Sequence, residues 1–285
     1  MDLIKSYKTK KRIGKIILYI FVIIMLIFYV FPFYYAITSS LTPNSELFSK
    51  SIKLFPKNPT FKNYILVFTE RPFHQNIINS VIVAGATTIL SLVFGAFAGY
   101  AVARLKMPGK VLIMSLILAV SMFPQVSILG ALFQILRNMR LINTYPGLIL
   151  PYIALNLPLT TWILHNFFKD IPISIEESAA IDGCSKFMTL WRIIIPLSAP
   201  GLVTTGLLTF IAAWNEFMFA LTFMQLPEKY TVPVAIAMFS GKTFYELPWG
   251  QLMAAAVIVT VPLVALVLIF QNKIVAGLTA GAVKG

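Results

Sequence analysis

Acidic residues are scarce in this chain. Ten Asp and Glu stand against 23 Lys and Arg, and charged side chains make up only 12% of the 285 residues. Soluble domains carry about a quarter charged residues, so an ordinary water-soluble globule is excluded. The lone cysteine, Cys184, excludes an intrachain disulfide framework and reads as a small residue after a glycine turn. The only histidines are His74 and His165, with no H-E-x-x-H and no metal-ligand cluster. No nucleophile–base pair marks an active site. Ser240-Gly241-Lys242-Thr243 ends like a nucleotide-binding loop, yet the position that needs its first glycine is Ile236. The chain is therefore expected to be no enzyme and to hold no metal or cofactor of its own.

What is present in quantity is apolar sequence, 58% of the chain. The net charge of +13 does not imply nucleic-acid binding, because the basic residues gather at the ends of apolar runs, where they set membrane orientation. A basic arm (Lys5 to Lys15) precedes the first run, from Ile16 to about Ile37. That run exceeds the ~7–15 residues of a signal-peptide core and lacks an A-x-A-type cleavage site. Five further spans are predicted: Asn76 to Ala103, Val111 to Ile135, Pro146 to Phe168, Gly201 to Phe223, and Gln251 to Gln271. The second carries Gly95 and Gly99 in G-x-x-x-G spacing, which lets two helices approach closely. Pro124, Pro151, Pro158 and Pro262 are expected to kink the spans that hold them. With six spans and both ends in the cytoplasm, fourteen of the 23 Lys and Arg fall on the cytoplasmic side. The fold class is an all-α polytopic membrane protein lying in a bilayer.

One polar stretch interrupts the second half, I-P-I-S-I-E-E-S-A-A-I-D-G-C-S-K-F-M-T-L-W-R-I-I-I-P-L-S-A-P, residues 171–200. Ser174 with Glu177 predicts a capping box, with Glu176 and Glu177 in the first turn and Asp182-Gly183 as the stop. A second helix is predicted from Ser185, with Phe187, Leu190, Trp191, Ile194 and Ile195 on one apolar face and an end at Pro196 and Pro200. This is a helix-turn-helix between spans four and five. It is either an amphipathic hairpin lying on the membrane surface or a docking element for another protein.

The spacing Glu177-Ser178-Ala179, three residues, Gly183, nine residues, Ile193-Ile194-Ile195-Pro196 resembles the signature loop of ABC-importer permeases, E-A-A, G, I-x-L-P, with Ser178 and Ile195 as departures. L-P-L-T-T-W-I-L-H-N-F-F before the loop, W-N-E-F after it and the tail Asn272 to Gly285 are similar to the smaller permease subunit of maltose-type importers. The resemblance implies a type I importer permease in a bacterial or archaeal cell membrane. It implies a homologous permease partner, a dimer of ATPase subunits that hold ATP and Mg, and an extracytoplasmic sugar-binding protein. The expected layout is an N-terminal arm (1–15), first span and outer segment (16–75), permease core (76–273) and tail (274–285).

On that resemblance the ATPase-coupling residues are Glu176, Glu177, Ala179, Ala180, Asp182, Gly183, Phe187, Leu190 and Trp191. Gly277, Leu278, Thr279, Gly281 and Lys284 would enter the ATPase interface. Asn156, Trp162, Trp214, Asn215 and Glu216 are candidates for the solute pathway, suited equally to helix packing. Glu216 has two readings, a functional carboxylate at mid-membrane or a group near the outer interface. A di- or oligosaccharide such as maltose or trehalose is the expected solute. The open alternatives are a permease for another solute class and an ion-coupled transporter with Glu216 as its relay.

Overall fold

In the computed structural model, residues 2–47, 54–239 and 247–280 are described. The nucleotide-loop look-alike at 240–243 lies outside them, as do Gly281 and Lys284. Helices follow in the order α1 (Asp2–Ser40), α2 (Asn44–Leu47), α3 (Lys62–Thr69), α4 (Phe73–Arg104), α5 (Lys110–Ser121), α6 (Gln125–Asn138) and α7 (Tyr145–Asp170). Next come α8 (Ile173–Ile181), α9 (Lys186–Thr189), a π-helical turn (Leu190–Ile194), α10 (Ile195–Leu197), α11 (Ala199–Asn215) and α12 (Met218–Phe223). A 3₁₀ turn (Pro227–Lys229), α13 (Val232–Ala237) and α14 (Trp249–Ala280) complete the described chain.

Two compact units form. The first comprises residues 1–71 and 239–260. There the buried Asn63 amide donates to the carbonyls of Ser40 (2.9 Å) and Thr42 (3.0 Å), tying α3 to the end of α1. Gln251 donates to Glu70 at 3.0 Å. The second comprises residues 72–238 and 261–285. Its centre is α4 against α7 and α11, and glycine explains how closely α4 lies to α7. A Cβ on Gly95 would stand 2.6 Å from Thr160 Cγ2, and one on Gly99 would stand 3.0 Å from the His165 backbone nitrogen. Thr160 and Thr209 share a buried hydrogen bond of 3.2 Å between α7 and α11.

Among the described residues four helices are long and apolar enough to cross a bilayer: Arg12–Ser40, Phe73–Arg104, Tyr145–Asp170 and Trp249–Gln271. Two bent pairs raise the count to six if each is one span. Here the structure corrects the expected shapes. Pro124 does not kink a single third span. α5 stops at Ser121, Pro124 takes an extended ψ of 120°, and α6 leaves at 87° to α5. Proline cannot supply the N–H that would continue α5, and its own fixed φ starts α6. The expected fifth span is likewise two helices, α11 and α12, separated at Glu216 and Phe217. Pro151 and Pro158, by contrast, lie inside an unbroken α7.

Candidate functional site

The polar stretch folds as a helical hairpin, though not by the predicted start. Pro172, with φ −57° and ψ 134°, is the N-cap of α8 and no side chain caps that end. The Ser174–Glu177 capping box is therefore absent. Proline pre-sets the geometry two residues earlier, Ser174 is already inside the helix, and its carbonyl accepts the Ser178 hydroxyl at 2.9 Å. The far end closes as predicted. Gly183 sits at φ +83°, Cys184 N–H donates to Ala179 at 2.9 Å, and Gly183 N–H donates to Ala180 at 3.1 Å. That pair of bonds is a Schellman closure, which glycine adopts without a Cβ penalty. Ser185 then caps α9 by accepting from Met188 N–H at 3.3 Å.

The second arm departs from the predicted single apolar face. The π-helical turn widens the helix at Leu190–Ile194, so side chains spaced for a regular α-helix no longer align. Leu190 and Ile194 are buried with Ala96, Tyr100, Leu164 and Phe168 in one cluster. Phe187 and Trp191 stay exposed and meet the Phe97 ring, each with centroids 6.0 Å away. The arm ends at Leu197, between Pro196 and Pro200, and α11 begins at Ala199 after an 81° bend.

Three of the residues expected to face a partner, Glu176, Ala179 and Leu190, are turned inward. Glu176 pairs with Arg104 at the end of α4, and its second oxygen accepts the Tyr100 hydroxyl at 2.9 Å. Their side chains are only 9% (Arg104) and 16% (Glu176) exposed. Arg104 also donates to the Ile171 carbonyl at 2.6 Å, so one guanidinium holds both sides of the α7–α8 elbow. Ala179 is buried at 4% exposure. Glu177, Ala180, Asp182 and Gly183 remain exposed, and Ile181 is 87% exposed at the tip. Residue types alone do not separate Glu176 from Glu177: adjacent helical positions lie about 100° apart, and only the location of Arg104 decides which carboxylate turns in. Arg104 carries a signal in the sequence as the cation that closes a span just ahead of Lys106 and Lys110, but the same residue reads equally well as an orientation charge.

The pathway candidates do not converge on one polar pocket. Trp214 is buried and stacks on Phe210 with centroids 5.7 Å apart. Asn156 and Asn215 return their amides to their own helices, at Tyr152 and Ile211, both at 2.8 Å. Trp162 is exposed on α7. Glu216 has a definite structural task. Its carboxylate accepts from Phe219 N–H (2.9 Å), Ala220 N–H (3.1 Å) and the Tyr152 hydroxyl (2.5 Å). It caps the free N-terminus of α12 where the span breaks. Tyr152 lies seven residues beyond Tyr145 on α7, about 10 Å from the end remote from the hairpin. Glu216 thus sits in the third of the helix away from the hairpin, not at its middle. Gly277, Leu278 and Thr279 lie on α14, which runs to Ala280.

A family model described as "Binding-protein-dependent transport system inner membrane component" matches residues 91–279, from the second half of α4 through the hairpin to the end of α14. The chain belongs to that family. It is 44% identical to the trehalose/maltose transport system permease protein MalG of Thermococcus litoralis, over 95% of this chain and 97% of that protein. It is 44% identical to the trehalose transport system permease protein SugB of Mycobacterium tuberculosis, over 89% and 92% of the two chains. It is 42% identical to the sulfoquinovosyl glycerol transport system permease protein SmoH of Agrobacterium fabrum, over 95% of each. The fold matches a chain from the crystal structure of a bacterial ABC transporter that imports alginate, with TM-score 0.80 and 21% identity over 92% and 96% of the chains. Family membership bears on the class of transporter: the chain is a component of a binding-protein-dependent transport system rather than an ion-coupled transporter.

Proposed function

We propose that this permease imports a di- or oligosaccharide, with an α-glucoside such as trehalose or maltose as the first candidate. It forms half of the pathway with a homologous permease. ATP and Mg are held by a separate pair of ATPase subunits on the hairpin side, and a sugar-binding protein delivers solute on the other. Both termini lie in the cytoplasm. The observation that carries this reading is the hairpin: its base is locked into the transmembrane core by Leu190, Ile194 and Arg104, while its tip, Ala180 to Gly183, belongs to no internal core. A receiver of external motion needs both properties, a rigid mount and contacts that differ between states. Glu177 and Asp182 supply polar contacts there, Phe187 and Trp191 apolar ones, and the α14 end with residues 277–284 a second contact with the ATPase. The relatives named for trehalose and for trehalose/maltose support the solute class.

The test is uptake of radiolabelled trehalose and maltose by proteoliposomes holding the assembled transporter. Accumulation that requires ATP, the ATPase subunits and the binding protein is expected. Uptake sustained by an ion gradient without the ATPase would refute the reading.

A further inference from the structure

Helix α4 is gripped by polar side chains at both of its ends. At the hairpin end Arg104 and Tyr100 hold Glu176, and Arg104 holds the Ile171 carbonyl as well. At the opposite end the Asn76 amide donates to the carbonyls of Pro227 (2.8 Å) and Tyr230 (3.1 Å). One turn further on, the Asn79 amide donates to Glu228 (2.9 Å) and Tyr230 (3.0 Å). Ser80 Oγ accepts the Val232 N–H at 2.8 Å. Asn79 is itself oriented, because its oxygen accepts from the Tyr145 hydroxyl at 2.9 Å and from Gln75 at 3.1 Å. Asn76, Asn79 and Ser80 are 2%, 1% and 2% exposed. These groups grip main-chain atoms of the segment 227–232, so the hold does not depend on that segment's own side chains.

α4 is one helix of 32 residues with no proline, and its outermost grips, Asn76 and Arg104, lie about 42 Å apart along it. The spans that the hairpin joins directly are less stiff. α7 contains Pro151 and Pro158, and α11 ends at the Glu216 break. Prolines and interrupted ladders are where helices can bend, so α4, which has neither, is the span best built to carry a displacement from end to end.

We propose that α4 is the strut that ties the position of the cytoplasmic hairpin to the outer turn around residues 227–230, with Arg104 and Glu176 as positioning residues at one end and Asn76 and Asn79 at the other. This rests on the reading of the hairpin as receiver of ATPase motion. Motion of α8 moves Glu176, the ion pair carries α4, and the asparagines carry the outer turn. None of these residues touches solute.

The experiment uses the assembled transporter in proteoliposomes with Cys184→Ser and Glu228→Cys. The alkylation rate at position 228 with a membrane-impermeant maleimide is compared without nucleotide and after trapping with ATP and vanadate. A change of about fivefold is expected, the low end of coupling between distant sites. In the double variant Arg104→Gln/Glu176→Gln, which leaves no uncompensated buried charge, assembly and ATP hydrolysis persist and the nucleotide effect on residue 228 disappears. Arg104→Lys keeps the charge pair and retains part of the effect. A merely structural role would lower the yield of assembled complex and leave the effect per complex intact. An effect that survives in the double variant, or none in the parent, overturns the proposal. Gly183→Val separates the layers. If it abolishes the nucleotide effect while the double variant does not, only the strut fails; if it leaves the effect intact, the hairpin reading fails with it.

Discussion

Glu216→Ala removes the acceptor from two α12 backbone N–H groups and from the Tyr152 hydroxyl, whose side chain is fully buried. Losing a helix cap costs about 1 kcal/mol, and a buried hydroxyl left without a partner costs about 1–3 kcal/mol. The expected loss is about 2–4 kcal/mol, which for a chain of this size lowers Tm by about 5–15 °C. Tyr152→Phe removes one bond to a charged group, about 1.5–3 kcal/mol, and leaves the carboxylate its two backbone donors. The double variant should be less damaging than the two losses added, by about 1–2 kcal/mol, because the orphaned hydroxyl is then absent. Thermal unfolding of the detergent-purified complex reads all three. Strict additivity would refute the shared bond, and an unchanged Tm in Glu216→Ala would refute the cap. Glu216→Gln keeps the volume and one acceptor oxygen and should retain ATP-driven uptake. Loss of uptake in that variant, with stability intact, would return Glu216 to a role in transport itself.

Two further outcomes follow from glycine positions. Gly183→Val meets no neighbouring atom, but it forces a β-branched residue to φ +83° at a cost of about 1–3 kcal/mol; the expected result is normal membrane insertion with ATP hydrolysis uncoupled from uptake, read as the ratio of the two rates. Gly99→Ile drives a side chain into the α7 backbone, where a Cβ alone would be 3.0 Å from the His165 nitrogen; overpacking of about 1–3 kcal/mol should lower the yield of folded complex on size-exclusion chromatography, while Gly85→Ala, which meets open space, should leave it unchanged.

Features governed by neighbouring residues are legible in the amino-acid sequence. Gly183 marks the turn because only glycine takes that φ cheaply, Ser185 marks the next cap, and G-x-x-x-G marks the close approach of α4 to a neighbour. The features that escape a reading of the sequence share a cause, which is that local pattern does not report distant partners. The apolar runs around Pro124 and Glu216 have the length of a span, yet each is divided between two helices, α5 and α6 in the first and α11 and α12 in the second. Pro172 outcompetes Ser174 as the start of α8 because a fixed backbone precedes an optional hydroxyl. A single apolar face on the second arm assumes an α-helical period, and the π turn changes it. The grip of Asn76 and Asn79 on residues about 150 positions away leaves no trace in either segment alone.

In the proposed mechanism the hairpin tip meets an ATPase. Asp182→Cys in a Cys184→Ser background gives the direct test, since position 182 is exposed in the isolated chain. Alkylation with a polyethylene-glycol maleimide is measured on the permease alone and on the full complex. Strong protection by the ATPase subunits, with a cross-link to them through a short bifunctional reagent, is the predicted result. Equal labelling in both preparations, with no cross-link, would contradict the account.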